Sequence, residues 1–162
     1  MKRCVILGFV AAAGFVAGCS KPVPPAATEV VHQHEHHAPH GGTPVELGDE
    51  ENHVEFVLDS ADGKLQAYIL DGELEDFIRI KMPALKLTAH VSGAEQTLVL
   101  RAVANGATGE TVGDTSLFET QADWLKTTPQ FDAVLDEITV QGKTYTNVTF
   151  NFPKGSDENA KK

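Results

Sequence analysis

The alternation of apolar and polar side chains near the C-terminal end constrains the fold more than any other feature. Val148, Phe150 and Phe152 occupy every second position of residues 148–152, with polar residues such as Thr149 between them. Successive side chains of a β-strand point to opposite faces. The pattern therefore predicts a strand that places one face on an apolar core and the other in solvent.

Similar short runs of β-forming residues, separated by turn residues, follow one another from Val45 onward. A hairpin turn is predicted at residues 60–63, a short helix at 121–126 and a second helical turn at 131–135. The sequence shows neither a strand–helix–strand alternation nor an internal repeat. We therefore expect an all-β antiparallel domain, a sandwich or a barrel, of which an immunoglobulin-like sandwich is favoured. The predicted strands cover residues 53–59, 64–70, 78–81, 85–91, 97–103, 117–120, 138–140 and 145–152.

The first residues have the pattern of an export signal. Lys2 and Arg3 precede an apolar stretch that is too short to span a bilayer. Val16-Ala17-Gly18-Cys19 follows and resembles the lipobox of bacterial lipoproteins, in which the cysteine receives a diacylglycerol and fatty acyl chains such as palmitate. The resemblance implies lipidation at Cys19 and an anchor in the cell envelope. Serine at position 20 resembles the outer-membrane sorting pattern, which implies an outer-membrane lipoprotein that faces the periplasm if the cell has two membranes.

The chain divides by composition into four segments. Residues 1–18 form the signal peptide, 19–43 a lipidated tether rich in Pro and His, 44–154 the β-domain, and 155–162 a polar tail predicted to be disordered. The formal net charge is −10, and removal of the basic signal makes the mature chain more acidic. This balance argues against nucleic acid as a partner.

Cysteine usage limits the chemistry of the domain. Cys4 lies in the signal and Cys19 carries the lipid, so the mature domain has no free thiol. Disulfides, thiolate metal sites and cysteine nucleophiles are excluded. A bound metal ion must then be held by imidazole nitrogen or by oxygen.

The tether contains a concentration of histidines, which we call the His tract, residues 32–40. Five of the seven histidines of the chain lie in it. Imidazole binds Zn²⁺, Cu²⁺ and Ni²⁺, and three or four imidazoles of a flexible segment can converge on one ion. The alternative is a solvated, low-complexity linker in which histidine is only a polar residue. The candidate metal ligands in the tract are His32, His34, His36, His37 and His40.

A second candidate site lies on the first predicted strand. His53 and Glu55 are two residues apart and therefore share one face, opposite Val54 and Phe56. They could share one metal ion with the His tract, and Asp49-Glu50-Glu51 could add oxygen ligands. The alternative, which strand statistics favour, is an exposed polar face and a solvated acidic turn.

Several short motifs in residues 38–71 together resemble a known module. Ala38-Pro39-His40-Gly41-Gly42, Val45-Glu46-Leu47-Gly48, His53-Val54-Glu55, Asp59, Gly63-Lys64-Leu65, Tyr68 and Leu70-Asp71 are similar to envelope proteins of heavy-metal handling, including segments near the N-termini of heavy-metal efflux adaptors. The resemblance covers about a fifth of the chain. It implies a metal-linked function and points first to His40 and His53. The long helical hairpin of an adaptor is missing from the sequence.

No motif of a catalytic site is present: there is no G-x-S-x-G, H-E-x-x-H or phosphate-binding glycine loop. We therefore expect a binding protein without an organic cofactor and not an enzyme. The first hypothesis is a lipoprotein that binds a divalent transition metal (Cu, Zn or Ni) for buffering or for delivery to an efflux or other envelope partner. The second is a structural or interaction lipoprotein whose β-domain binds protein or glycan.

Overall fold

The computed structural model describes residues 37–156, and this part of the chain is one antiparallel sheet with a single 3₁₀ turn at Asp123–Lys126. The sheet order is β1-β2-β3-β6-β5-β4-β7-β8-β9. The strands are β1 (Thr43–Leu47), β2 (Asn52–Asp59), β3 (Lys64–Asp71), β4 (Ala84–Val91), β5 (Ala94–Ala102), β6 (Leu117–Gln121), β7 (Phe131–Val140), β8 (Lys143–Phe152) and β9 (Gly155–Ser156).

The two ends of the sheet meet, so that the sheet is nearly closed. The Glu46 amide on β1 donates a hydrogen bond of 2.7 Å to the Ser156 hydroxyl on β9. A Cβ atom at Gly155 would lie 2.6 Å from the Pro44 carbonyl oxygen, so glycine is needed for this approach. Inside, the Phe56 and Phe150 rings stack at 4.7 Å between centroids. The walls of the sheet therefore enclose one apolar core.

The all-β antiparallel prediction is confirmed. The hairpin turn at residues 60–63 joins β2 to β3, and the clearest alternating run forms most of β8. The predicted helix at 121–126 is the 3₁₀ turn, in which Leu125 is fully buried. No helix within residues 37–156 is long and apolar enough to cross a bilayer.

The predicted helical turn at residues 131–135 is wrong, because this segment begins the ten-residue strand β7. Phe131, Ala133 and Leu135 face the core, but the next inward residue is Ile138 and not position 137. This change of phase produces the spacing of 3 and 4 that is typical of a helix. The regular ladder to β8 is interrupted at the same place, between Leu135 and Glu137.

Three further differences concern the limits of the strands. Residues 78–81 are a connection in which only Ile80 forms a bridge, to Thr115, and not the predicted strand. Strand β1 was not predicted and begins one residue before the expected domain boundary at position 44. Gly155 and Ser156, assigned to the tail, pair with β8. Cys19, the signal, the tether up to residue 36 and the tail from residue 157 lie outside the described residues.

Candidate functional site

The end of the His tract crosses strand β2 through a tight turn. The Gly41 amide donates a 3.0 Å hydrogen bond to the Ala38 carbonyl oxygen, and Gly41 has a φ of +66°, which glycine adopts without strain. A Cβ atom at Gly42 would lie 2.5 Å from the Phe56 carbonyl oxygen and 2.7 Å from Cγ2 of Val57. Only glycine lets the backbone lie this close to β2.

The Glu55 carboxylate holds this turn. Its Oε1 atom accepts hydrogen bonds from the backbone amides of His40 (2.9 Å) and Gly42 (2.8 Å), and its Oε2 atom lies 2.8 Å from Nδ1 of His40. The Glu55 side chain is 0% exposed. A buried carboxylate needs such partners, because burial without hydrogen bonds costs several kcal/mol, on the order of the whole stability of a domain.

The His40 ring lies in an aromatic environment. It stacks on Tyr68 with 3.8 Å between centroids and a 16° angle between planes, and the Phe77 ring is 5.6 Å away. Burial raises the pKa of Tyr68, and the negative charges of Glu55 and Glu119 raise it further. The His40 side chain is still 34% exposed. The ring is therefore held in a fixed orientation and is only partly covered.

The two candidate metal sites of the sequence meet at this point, through His40 and Glu55. The exposed-face interpretation of the second site is wrong, since Glu55 is fully buried and His53 is only 2% exposed. Both faces of β2 are covered here, one by the core and the other by the turn of the His tract. His53 has a different environment from Glu55: its Nδ1 atom lies 3.1 Å from the Asp71 carbonyl oxygen.

Among residues 37–156, the other candidate ligands are not gathered into one cluster with His40. His37 is exposed directly before the turn, and His32, His34 and His36 lie outside the described residues. Glu51 contacts Lys143 and accepts a 2.8 Å hydrogen bond from the Tyr145 hydroxyl. The bond from Lys143, then that from Tyr145, lowers the pKa of Glu51. Within residues 37–156 no three His, Cys, Asp or Glu side chains are placed to hold a metal ion.

A cavity of about 340 Å³ lies beside His40. One end of it is aromatic and the other is polar, and four segments far apart in the sequence form its walls. Sequence reasoning did not find this site, because no local pattern connects these segments. The lining residues are His40, Tyr68, Phe77, Arg79, Asn105, Thr108, Glu110, Ser116 and Leu117.

Glu110 organises the polar end of the cavity. Its Oε1 atom accepts hydrogen bonds from the Ser116 amide (2.8 Å) and hydroxyl (2.6 Å), and its Oε2 atom accepts one from the Thr108 hydroxyl (2.6 Å). Burial works to raise the pKa of Glu110, but these bonds and the charge of Arg79 lower it below its ordinary value. The carboxylate is therefore ionised at neutral pH and fixes the wall.

Replacement of Glu110 by glutamine is expected to lower the free energy of unfolding at pH 7 by about 1–2 kcal/mol, since an amide cannot accept on both of its terminal atoms. The folded pKa of Glu110 lies below the unfolded value of about 4.3. Its contribution is thus complete above about pH 4.3 and is lost as the pH falls through the folded pKa. Urea unfolding of both proteins between pH 7 and pH 2.5 measures this. A stability difference that persists unchanged at the lowest pH would contradict the assignment.

Comparison with known proteins gives no relative: no protein-family model, no curated protein and no solved structure matches the chain.

Proposed function

We propose that this chain is an envelope lipoprotein, anchored through Cys19, that binds a divalent transition metal ion (Cu²⁺, Zn²⁺ or Ni²⁺) with the imidazoles of the His tract. In this proposal His40 is a ligand whose position the folded domain fixes. The metal is buffered at the membrane or passed to an envelope partner such as an efflux protein. The role is one of binding and not of catalysis.

The contact between His40 and Glu55 carries the proposal. Oε1 of Glu55 accepts from two backbone N–H groups, so the carboxylate acts as an acceptor. Oε2 of the same carboxylate is then also an acceptor, so Nδ1 of His40 is the donor and carries the ring proton. The lone pair of the neutral ring is then on Nε2. Histidines that bind metal through one ring nitrogen regularly donate the other N–H to a carboxylate, which orients the ring and raises its basicity.

The position of His40 at the edge of the domain supports the same interpretation. His40 lies within the turn Ala38–Gly41, and the exposed His37 comes directly before this turn. His36 precedes His37 in the sequence. A ligand that is already ordered loses little conformational entropy when the ion binds. A fixed His40 therefore favours closure of the His tract around an ion next to the domain.

The proposal changes the roles of the residues on β2. Glu55 orients His40 and does not bind the ion itself, because its side chain is fully buried and both oxygens already face hydrogen-bond partners in the turn. His53 takes no part, since its ring is buried and its Nδ1 atom is engaged with the Asp71 carbonyl.

Calorimetric titration of the chain from Ser20 onward with Cu²⁺, Ni²⁺ and Zn²⁺ tests the metal function. This chain keeps the whole sheet and its core, which lie between Thr43 and Ser156. At pH 7 we expect binding with a defined stoichiometry, and at pH 5 a collapse of affinity, since imidazole groups protonate near pH 6.5. No heat with any of the three ions would refute the metal function, and equal affinity at both pH values would assign the ion to carboxylates. Mass spectrometry of the membrane-extracted protein tests the anchor, which requires an acylated N-terminal Cys19.

A further inference from the structure

The cavity beside His40 combines an aromatic end with a polar end, and Arg79 and Asn105 give the polar end hydrogen-bond donors that are not fully used. Phe77 is 49% exposed although most large apolar side chains of the described domain are buried. With Tyr68 it offers ring surface to the cavity. At about 340 Å³ the cavity is at the lower limit of small-molecule sites, which fits one or two fused rings.

The polar end supplies donors. The five N–H groups of Arg79 are only partly used: one bonds to the Thr108 carbonyl oxygen and another, at 3.5 Å, to that of Gly109. The carboxylates of Glu110 and Asp114 form ion pairs with Arg79 at 4.0 Å, a distance too long for hydrogen bonds. The Arg79 side chain is 39% exposed.

Asn105 and Glu110, which lie next to Arg79 in the cavity wall, add to the excess of hydrogen-bond donors at the polar end. Asn105 accepts from the Ala107 amide through Oδ1, which leaves its NH₂ group to face a ligand. The oxygens of Glu110 are already occupied by Ser116 and Thr108, so the carboxylate has little left to offer a donor. The bonds from Arg79 to the carbonyls also hold the loop that carries Asn105 and Thr108 in place, so the cavity is already formed.

We propose that this cavity binds a small organic anion with a flat apolar body, such as an aromatic carboxylate. The ring packs on Phe77 and Tyr68, and the carboxylate accepts hydrogen bonds from the Arg79 guanidinium and the Asn105 amide. Guanidinium and carboxylate match in geometry and form charge-assisted bonds, which are the strongest available at such a site. The inference does not depend on the proposed metal function.

Equilibrium dialysis of the chain from Ser20, with chelator present to remove metal, tests the proposal with three probes of one shape: 2-naphthoate, 2-naphthamide and 2-naphthylmethylamine. We expect naphthoate to bind about 10-fold more tightly than the neutral amide. Tighter binding of the amine would overturn the proposal, because the acidic surface would then dominate. Failure of all three probes to bind would overturn it as well.

Two variants locate the site. Arg79→Gln should remove the preference for naphthoate over the amide, and Phe77→Ala should weaken both probes by roughly 5–10-fold, in line with the lost aromatic contact. Phe77 is exposed, so its replacement leaves the fold intact. The matched control is Arg101→Gln, an exposed arginine on β5 outside this cavity. An equal effect of Arg101→Gln and Arg79→Gln would show that overall charge alone is measured and would refute the site.

Discussion

Replacement of His32, His34, His36, His37 and His40 by alanine is expected to weaken Cu²⁺ binding by roughly 100-fold or more. Loss of an orienting group around a metal ligand costs about 10–100-fold in affinity, and loss of the ligands themselves must cost at least as much. Competition with a chelator of known affinity measures the change. If the variant binds Cu²⁺ as tightly as the parent, the His tract is not the site.

A single replacement in the same series separates an oriented site from a loose chelator. Glu55→Gln leaves every imidazole of the His tract in place, and its amide oxygen can still accept from the His40 and Gly42 amides. Its NH₂ group is a donor, however, so Nδ1 of His40 must become the acceptor and the ring proton moves to Nε2. We expect affinity to fall about 10–100-fold, because the nitrogen that should bind the metal is then protonated.

The matched control for Glu55→Gln is Glu95→Gln, which removes the same charge from an exposed position on β5. This control should bind Cu²⁺ like the parent protein. Should Glu55→Gln also bind like the parent while the five-histidine variant loses binding, the tract would be a chelator without an oriented ligand, and the role of Glu55 would be structural only.

The sequence identifies β8 from the regular alternation at its end, but it misses the short strand β1 and mistakes the start of β7 for a helical turn. Phe150 and Phe152 mark β8 correctly, because both project from one face of the regular second half of the strand, after the irregularity at Asn147. In β7 the inward positions shift between Leu135 and Ile138, so the local spacing indicates a helix. Pairing with β4 and β8 determines the strand instead, and these contacts are distant in the sequence.

The candidate site could likewise be predicted only in part from the sequence. Its residues are recognisable by type, but the contact between them is not. His40 and Glu55 are each recognisable by residue type, yet their contact spans 15 positions. It depends on the turn that ends at Gly41 and on the close approach of Gly42 to β2. The burial of Glu55 follows from that approach and not from the pattern of β2. For the cavity no sequence signal exists, since Phe77 and Glu110 come together only through the pairing of the sheet.

Closure of the sheet depends on side chains more than on backbone hydrogen bonds, and Phe56 is the residue at which this is best tested. Strand β9 has only two residues, so β1 and β9 can share few bonds. Phe56 on β2 stacks on Phe150 on β8, with planes 10° apart, and so connects the strands on either side of the seam. Its side chain is buried. We therefore expect the aromatic pair to contribute much of the free energy that keeps the seam shut.

Phe56→Ala is expected to lower the free energy of unfolding by about 3–5 kcal/mol, through lost apolar burial and the cavity that remains. Since domains are stable by only about 5–15 kcal/mol, much of the stability is lost, and urea unfolding measures it. Phe77→Ala, an exposed phenylalanine, should change stability by less than about 1 kcal/mol. Phe118→Ala, buried on β6, should cost as much as Phe56→Ala.

Hydrogen exchange distinguishes the two buried phenylalanines, because only one of them lies at the seam. In Phe56→Ala the amides of β1 and β9 should exchange before global unfolding, since the seam can open while the hairpin β7–β8 stays paired. In Phe118→Ala the amides near β6 should exchange faster through local opening. The amides of the other strands should exchange only through global unfolding. Uniform exchange in both variants would contradict the idea that Phe56 and Phe150 hold the ends of the sheet together. The turn of the His tract lies on β2 beside Phe56, so the metal affinity of Phe56→Ala should fall as soon as the seam opens.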